Sequence, residues 1–502
     1  MNRPRSLIDD SASTFSRESS RTSRAIARLE ILTPHKSNPH HPLASTMKPP
    51  QVPFSPLGIG TLFVFAITFS LDAGSPRTDE NRRLRFTSRG SSIPEGPAAA
   101  FEKSDKPVPP APGVTEAPTG FDNVTNGFDQ QGPPFEQINE DTVVPLRSFN
   151  DNRFIFEEVE GNADGLGPTY NAQSCRECHQ NVVTGGASQV AEHRTGHLGG
   201  DGFAESLGGS LIQSRATHPD IVERVAFEDD IRTFRISTNT LGNGFVEAIA
   251  DTTLLAIRDS QPPEMRGTAL MVPVLEADSK PRIGRFGWKS QHASLESFSA
   301  DAYLNEMGIT SPLLSEENTS SGTPVGFGTP FDPVADPEDD GVDIVAFANF
   351  MRSTKAPARG PINDNVTAGE QAFNTIGCTT CHVPSITTAP PGTRVNGGML
   401  EVRPALGNKV IHPYSDFLLH DIGTGDGIPF LPTPEFASTA NQIRTAPLWA
   451  LRTRNRLMHD GLSFTKQEAI QRHQNQAAGV TSAYNALPEE QKRQVLSFLD
   501  SL

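Results

Sequence analysis

The chain has 502 residues, of which 35% are hydrophobic and 20% are charged, and its formal net charge at pH 7 is −16. This length is sufficient for two or three domains with sizeable cores, and the acidic charge argues against a nucleic-acid partner. The 42 glycines and 42 prolines predict a fold rich in loops.

Residues 1–75 are predicted to be a leader rather than part of the fold. The apolar run LGIGTLFVFAITFSL at 57–71 is short for a membrane span, and the small residues at 73–75 are typical of a signal-peptidase site. Because 56 residues precede the run, we expect the true start to be Met47 and residues 1–46 to be a misassigned gene start. The mature chain is then periplasmic or otherwise exported. The alternative is that the run remains as a membrane anchor.

Residues 76–118 are rich in proline and alanine and predict a disordered spacer. Two later segments place apolar residues at helical spacing, VDIVAFANFMRST at 342–354 and PEEQKRQVLSFLDSL at 488–502. A third helix is predicted in AGEQAFNTIGCTTCH at 368–382, running into a cysteine motif. These three helices anchor the predicted secondary structure, since few strand patterns are evident.

Two short motifs, SCRECHQ at 174–180 and GCTTCHV at 377–383, use every cysteine in the chain. A redox disulfide does not need a histidine directly after the second cysteine. One zinc ion shared by both pairs would bridge about 200 residues, well beyond the usual spacing. Cys-x-x-Cys-His is the attachment signature of c-type haem, so we predict two covalently bound haems. The predicted attachment residues are Cys175, Cys178, Cys378 and Cys381.

Each haem would replace part of a protein core. We therefore expect a mainly α fold with two cytochrome c-like helical domains, 119–356 and 357–502, long loops, and an insertion in the first domain. His179 and His382 are the predicted proximal iron ligands. The sixth ligand of each iron decides between electron transfer and chemistry.

The stretch RFGWKSQHASLESFSADAYLNEMG at 285–308 resembles a segment of the bacterial dihaem cytochrome c peroxidases and of MauG. More broadly, residues 119–502 resemble the di-haem oxidoreductase family, whose members are often labelled peroxidases or thiol oxidoreductases. Further matching stretches are GLGPTYNAQSCRECH, HPYSDFLLHDIG and LWALRTRNRLMHDG. Thiol oxidation has no support in the sequence, because the two motifs leave no cysteine over.

The resemblance implies roles for two residues near the first haem. Trp288 matches the tryptophan that relays electrons between the haems, with a packing residue as the alternative. Glu306 matches the distal glutamate that moves a proton within bound peroxide. The alternative is an ordinary solvated or helix-capping glutamate. Met307 is predicted to pack rather than to bind iron.

The resemblance also implies distal ligands. At the first haem, His197 matches a displaceable ligand on a mobile, glycine-rich loop, with His193 as the competitor. At the second haem, His473 takes the position of the peroxidases' methionine and would give a bis-histidine iron of lower potential. Met458 and His459 remain alternatives there.

Two further features depart from the peroxidases, and a calcium ion stays open. Phe298 replaces a distal glutamine that would help to position peroxide. About 105 residues separate the first motif from the stretch at 285–308, and this insertion could cover the first haem. The peroxidases also hold a calcium ion between their domains, but no run in this sequence identifies its ligands.

We therefore expect a peroxidase-like dihaem oxidoreductase. A small cytochrome or copper protein would donate electrons to the second haem, and peroxide or a similar small oxidant would be reduced at the first. A dimer is a further expectation. The alternative is a non-enzymatic dihaem cytochrome c that only transfers electrons.

Overall fold

The computed structural model describes residues 113–120, 149–200 and 202–502. The predictions for the leader, for Met47 and for the apolar run at 57–71 lie outside these residues. In the part of the chain that is described, no helix is long and apolar enough to cross a membrane.

Helices hold 33% of the described residues and strands hold 17%. The α-helices are α1 (Phe149–Glu157), α2 (Cys175–Cys178), α3 (Asn243–Glu247), α4 (Asp251–Ser260), α5 (Leu295–Ala302), α6 (Val342–Arg352), α7 (Asp364–Thr375), α8 (Lys466–Gln471), α9 (Ala478–Ala486) and α10 (Glu489–Leu499). One turn of π-helix, Tyr303–Met307, continues α5. The two helices predicted from apolar spacing are confirmed as α6 and α10, and the third predicted helix is α7, which ends at Thr375, before the cysteine motif.

Short strands account for most of what the sequence did not predict. They are β1 (Thr115–Glu116), β2 (Thr169–Tyr170), β3 (Ala191–Gly199), β4 (Gly202–Ala204), β5 (Leu211–Ile212), β6 (Arg215–Ala216), β7 (Ile231–Ile236), β8 (Met271–Val274), β9 (Lys280–Ile283), β10 (Ile386–Thr387), β11 (Arg394–Val395), β12 (Leu400–Glu401), β13 (Lys409–Ile411), β14 (Leu419–Asp421) and β15 (Gln442–Arg444). A mainly α fold is therefore not confirmed. Most of these strands are too short to show an alternating apolar pattern.

The largest sheet lies in the predicted insertion. Its central strand, β3, pairs antiparallel with β7 along Ala191–Gly196. On its other edge β3 pairs with β5 at His193 and Arg194, and its end at His197–Gly199 pairs with β4. The remaining described strands form smaller sheets: β1–β13–β10, β2–β6, β8–β9, β11–β12 and β14–β15. The insertion is thus an ordered sheet rather than a run of loops.

The end of the predicted spacer belongs to one of these sheets. Thr115 and Glu116 pair in parallel with Lys409 and Val410. The spacer boundary at 118 therefore falls after an ordered strand. Residues 76–112 lie outside the described part.

The largest apolar core joins the two predicted domains. It holds Phe350 of α6 and Leu295 of α5, and also Ile386 and Phe417 from the second half of the chain. The described residues all belong to one compact unit, Glu102–Leu502. The boundary between residues 356 and 357 stays a prediction.

A second core forms where α7 crosses α10. Phe373 of α7 packs with Val495 and Phe498 of α10. At the crossing, a Cβ on Gly369 would lie 1.9 Å from the carbonyl oxygen of Gln494, so only glycine allows the two helices to approach this closely. This pair of helices places the second motif, because α7 ends shortly before it.

Candidate functional site

The first motif lies beside a cavity of about 260 Å³. Cys175 and Cys178 occupy the single turn α2, and the Ser174 hydroxyl caps it by accepting from the Arg176 backbone N–H at 3.2 Å. His179 ends the turn, so that the motif's two cysteines and its histidine line one cavity. Burial lowers the pKa of His179 to about 4. The imidazole is therefore neutral, which is the form that binds metals.

Glu306 lines the same cavity from the π-helical turn Tyr303–Met307, as the resemblance implied. The Asn171 side-chain amide donates to the Glu306 carboxylate at 2.9 Å. The backbone N–H groups of Asn171 and Ala172 donate to the Glu306 carbonyl at 2.7 and 3.0 Å. Glu306 is thus fixed to the segment that leads into the first motif. Single π turns of this kind are frequent at functional sites.

Two charged residues of this cavity were missed by the sequence reasoning. Glu192 and Arg194 both lie on β3, and the Arg194 Nε donates to the Glu192 carboxylate at 2.7 Å. Their side chains are 17% and 18% exposed and line the cavity. They lie in AEHRTGH, in which the sequence indicates only the two histidines as candidate site residues. Their separation by two residues would have placed them on one face, had a strand been expected.

The predicted distal ligand His197 is not among the residues that line the first cavity. The predicted mobile loop is strand β3, in which His197 pairs with Ala204, and its Nδ1 lies 3.7 Å from a carboxylate oxygen of Asp229. Because side chains alternate along a strand, His193 and His197 belong to the face opposite Glu192. His193 does line the first cavity, and its ring stacks on that of Phe234 with 4.9 Å between the ring centroids. Of the two predicted candidates, the structure therefore brings only His193 to the cavity of the first motif.

Trp288 is 8% exposed and lines both the first cavity and a second one. Its Nε1 donates to the Ile236 carbonyl at 2.7 Å, and its ring lies 6.2 Å from that of His459. The indole therefore lies between the two cavities and is held in a fixed orientation. This is the place that the resemblance implied for a relay residue.

The second cavity, of about 190 Å³, is lined by Cys378, Cys381 and His382. The Nδ1 of His382 lies 2.9 Å from the Tyr414 carbonyl, to which it donates. Metal-binding histidines commonly make this bond, because it fixes the ring and leaves Nε2 free. Burial, and then the neighbouring His473, lower the pKa of His382 to about 4.

The predicted partner His473 faces His382 across the second cavity. Its Nδ1 lies 2.7 Å from the Ala469 carbonyl, so its Nε2 is free as well. The two ring centroids are 6.3 Å apart. A metal held about 2 Å from each of two imidazole nitrogens would place the rings on opposite sides of it roughly 6 Å apart. These residues therefore fit an iron between them.

The two alternatives for this position lie in the same cavity. Met458 lines it and adopts a φ of 65°, and His459 follows with 2% exposure. The His459 carbonyl accepts from the Ile236 N–H at 2.8 Å. His459 is thus tied to the strand beside Trp288, whereas His473 faces His382.

Two arginines also line the second cavity, the buried Arg444 and the half-buried Arg454. The Nη2 of Arg454 is buried and has no hydrogen-bond partner among the described residues, and burial lowers its pKa to about 10. Arg444 donates from Nε to the Gly287 carbonyl at 2.6 Å. A buried cation needs a negative partner. The carboxylate side chains of a haem would supply one.

Two further groups of side chains lie close enough to share a cation. In one, Cys381 lies 3.7 Å from His420, which bonds to Asp416 at 2.8 Å. A metal there would compete with haem for Cys381. The other group consists only of carboxylates: Glu317, Asp332, Asp336 and Glu338. The calcium ion implied by the resemblance stays a prediction.

The departures from the peroxidases shape the first cavity. Phe298 lines it, and its ring lies 5.9 Å from that of Phe286 at an angle of 8°. The insertion supplies the wall formed by β3 and β7. The position of the absent glutamine is therefore apolar, and polar groups reach the cavity from β3 instead.

Residues 211–502 match the family described as "Di-haem oxidoreductase, putative peroxidase". The match covers more than half of the chain, and the chain therefore belongs to this family. The family's name implies two haem groups. The matched range includes the second motif, Trp288, Glu306 and His473, whereas the first motif precedes it.

Similar solved structures include a hydrazine synthase from Kuenenia stuttgartiensis, at 12% identity over 82% of this chain and 100% of that one, with a TM-score of 0.34. A MauG-like protein associated with microbial copper homeostasis matches at 17% identity over 34% and 55%, with a TM-score of 0.22. A variant of the diheme peroxidase BthA from Burkholderia thailandensis matches at 14% identity over 59% and 91%, with a TM-score of 0.26. No curated protein sequence matches the chain. These likenesses are too weak to carry an argument about activity.

Proposed function

We propose that the protein is an exported, peroxidase-type oxidoreductase with two covalently attached haem c groups. One observation carries the proposal: two cavities, each with a Cys-x-x-Cys-His motif, share Trp288 but differ in what faces the motif's histidine. In the second cavity another imidazole faces it. In the first, ionisable side chains line the cavity instead.

Covalent attachment is supported by the placement of the cysteines. Burial raises the pKa of Cys178 and of Cys378 to about 12, so these thiols are neutral and poor metal ligands. Each pair occupies a single helical turn beside its histidine, which suits two thioether bonds to one haem edge. The histidine imidazole would then bind the iron.

When bound, the second haem would accept single electrons from a small cytochrome or copper protein, and the first would pass two electrons to peroxide or a similar small oxidant. His382 and His473 would hold the iron of the second haem through their imidazoles. Trp288 would provide the packed contact between the haems. Glu306 would hold and move a proton at its carboxyl oxygens.

The alternative is a dihaem cytochrome that only transfers electrons. Phe298 favours it, because an apolar ring cannot position a peroxide. The buried carboxyl of Glu306 favours the enzyme. Burial, and then the charge of Glu192, raise the pKa of Glu306 well above its usual value. Strongly shifted carboxyls in a cavity are typical of acid–base sites.

The test compares peroxide reduction by the holoprotein and by its Glu306→Gln variant. We expect the variant to lose at least about 100-fold in rate, since positioned proton transfer contributes about 100- to 10,000-fold. Glu228→Gln makes the same chemical change on an exposed residue and serves as the control. Equal rates for wild type and Glu306→Gln would rule out the acid–base role. Absence of peroxide reduction by wild type would favour the electron-transfer alternative.

A further inference from the structure

The first cavity contains a second carboxyl that the resemblance does not assign. Glu192 and Glu306 line the cavity together with the first motif. The charge of Glu192 raises the pKa of Glu306, because a second negative charge beside the first is unfavourable. The arrangement therefore favours a pair in which one carboxyl is ionised and the other is protonated.

The surroundings decide which member carries the proton. Arg194 holds Glu192 through two hydrogen bonds, from Nε at 2.7 Å and from Nη2 at 3.1 Å. Such a bidentate pair favours the ionised carboxylate. Glu306 instead accepts from the neutral amide of Asn171. The geometry places the charge on Glu192 and the proton on Glu306.

The other charged groups around the pair agree with this assignment. Arg235, which pairs with Glu192 across β3 and β7, adds a second positive charge, and its guanidinium is itself bound to the buried Asp426 at 2.7 Å. Asp301 is bound to His292 at 3.0 Å and to Asn305. Burial opposes ionisation of Glu192, but Arg194 outweighs it and the pKa of Glu192 is lowered. The pKa of Glu306 moves in the opposite direction.

We propose that Glu192 and Glu306 act as one acid–base unit in the first cavity, with Glu192 as the base and Glu306 as the acid. This inference rests on the proposed peroxidase function. A lone protonated glutamate cannot begin by accepting a proton. An ionised carboxyl can accept a proton from one peroxide oxygen, and a protonated carboxyl can donate its proton to the other oxygen. Neither group first has to exchange a proton with water.

The step balances as follows for hydrogen peroxide. Glu192 takes the proton of one oxygen, Glu306 gives its proton to the other, and the O–O bond breaks to release the first water. The remaining oxygen takes two electrons, which the bound haems would supply and the donor protein would restore one at a time, together with the proton held by Glu192 and one from solvent. A second solvent proton restores Glu306. In total, one hydrogen peroxide, two electrons and two protons give two water molecules.

The experiment uses the holoprotein with hydrogen peroxide and compares Glu192→Gln, Glu306→Gln and the double variant, with Glu228→Gln as the control. Each single variant should lose at least about 100-fold in rate. The double variant should fall no more than about tenfold further, because residues that act as a unit are not additive. A Glu192→Gln rate within twofold of wild type would overturn the inference.

Infrared difference spectra at pH 7 provide a readout that does not depend on turnover. The wild type should show the band of a buried carboxylic acid that Glu306→Gln lacks. Glu192→Gln should lack it too, since it removes the negative neighbour and releases Arg194 to pair with Glu306. Persistence of the band in Glu192→Gln would show that the two carboxyls do not share a proton. Glu228→Gln should keep the band.

Two further variants of Glu192 test the role if Glu192→Gln fails to fold or to bind haem. Glu192→Asp and Glu192→Asn have the same size and differ in charge, so a base at this position predicts at least about tenfold faster turnover for Asp than for Asn. Equal rates would overturn the role. If wild type itself does not reduce peroxide, the proposed function fails, and the base role fails with it. The infrared band then decides only whether the proton is shared.

Discussion

Each cavity is lined by a Cys-x-x-Cys-His motif and by Trp288, but the side chains opposite the motif's histidine differ. In the second, His473 lies opposite His382, and the remaining wall is mainly apolar apart from the two arginines. In the first, the corresponding space is lined by Glu192, Arg194 and Glu306. Burying a charged side chain is costly unless it is paired. Groups of this kind with shifted pKa values are typical of functional sites. The second cavity thus places an imidazole opposite the motif's histidine, whereas the first is lined by ionisable side chains.

The difference also has a structural origin. The second cavity is enclosed by helices from the end of the chain, and α8 carries the chain to His473 at its end. The first is enclosed partly by the sheet of the insertion, whose central strand is β3. Glu192 and Arg194 of this strand line the cavity, as does His193, whereas His197 does not. The insertion therefore changes the chemistry of the first site and does not simply cover it.

Removal of one cysteine pair has the largest expected effect. Replacing Cys175 and Cys178 by alanine, or Cys378 and Cys381, should abolish covalent attachment at one site and leave the other intact. Haem staining of the denatured chain should show half of the wild-type signal for each double variant. The stability of the fold should also fall, because the space left in the core remains unfilled. Full staining of either double variant would disprove covalent attachment at that site.

Replacing His473 should leave the second cavity, like the first, without an imidazole opposite the motif's histidine. His473→Ala removes the imidazole that faces His382, so the second haem should change from a low-spin to a high-spin spectrum. His459→Ala, in the same cavity, should leave the spin state unchanged and serves as the control. A low-spin second haem in His473→Ala together with a spectral change in His459→Ala would reverse the two assignments.

Changing Trp288 should weaken the connection between the cavities without changing either one. Trp288→Phe should slow electron transfer between the haems while their equilibrium spectra stay the same. The Ile236 carbonyl loses its partner, at a cost of about 1–3 kcal/mol in unfolding free energy. Trp449→Phe, a change at another buried tryptophan, is the control. An unchanged rate in Trp288→Phe would make Trp288 a packing residue.

The smallest expected effect concerns Glu160 and the way in which the unfolding free energy depends on pH. Burial, and then the charge of Glu158, raise the pKa of Glu160 to about 7 in the folded chain. The folded state then binds more protons than the unfolded state between about pH 4.5 and pH 7, so stability falls as the pH rises through this window. Glu160→Gln should flatten the profile of unfolding free energy there. An equally steep profile in the variant would contradict the assignment.

The sequence predicted local features well and long-range placement poorly. The helices α6 and α10 follow from apolar spacing, and the placement of Trp288 and Glu306 follows from a family segment. The strand β3 was not predicted, because AEHRTGHLG mixes polar and small residues instead of alternating apolar ones. Without a strand at β3, the resemblance implies that His197 lies over the first motif, and nothing in the sequence indicates that Glu192 lines the cavity. Only the pairing of β3 with β7, 40 residues away, fixes which side chains face the cavity.

The most direct test of the central claim is a redox titration of the holoprotein, followed by optical and electron-spin spectra in the half-reduced state, with and without peroxide. The account predicts one haem that is low-spin with two imidazole ligands in every state and another that becomes high-spin and responds to peroxide. Loss of the peroxide-responsive signal in the Cys175/Cys178 double variant would assign it to the first cavity. Two haems that both stay low-spin and ignore peroxide would contradict the account.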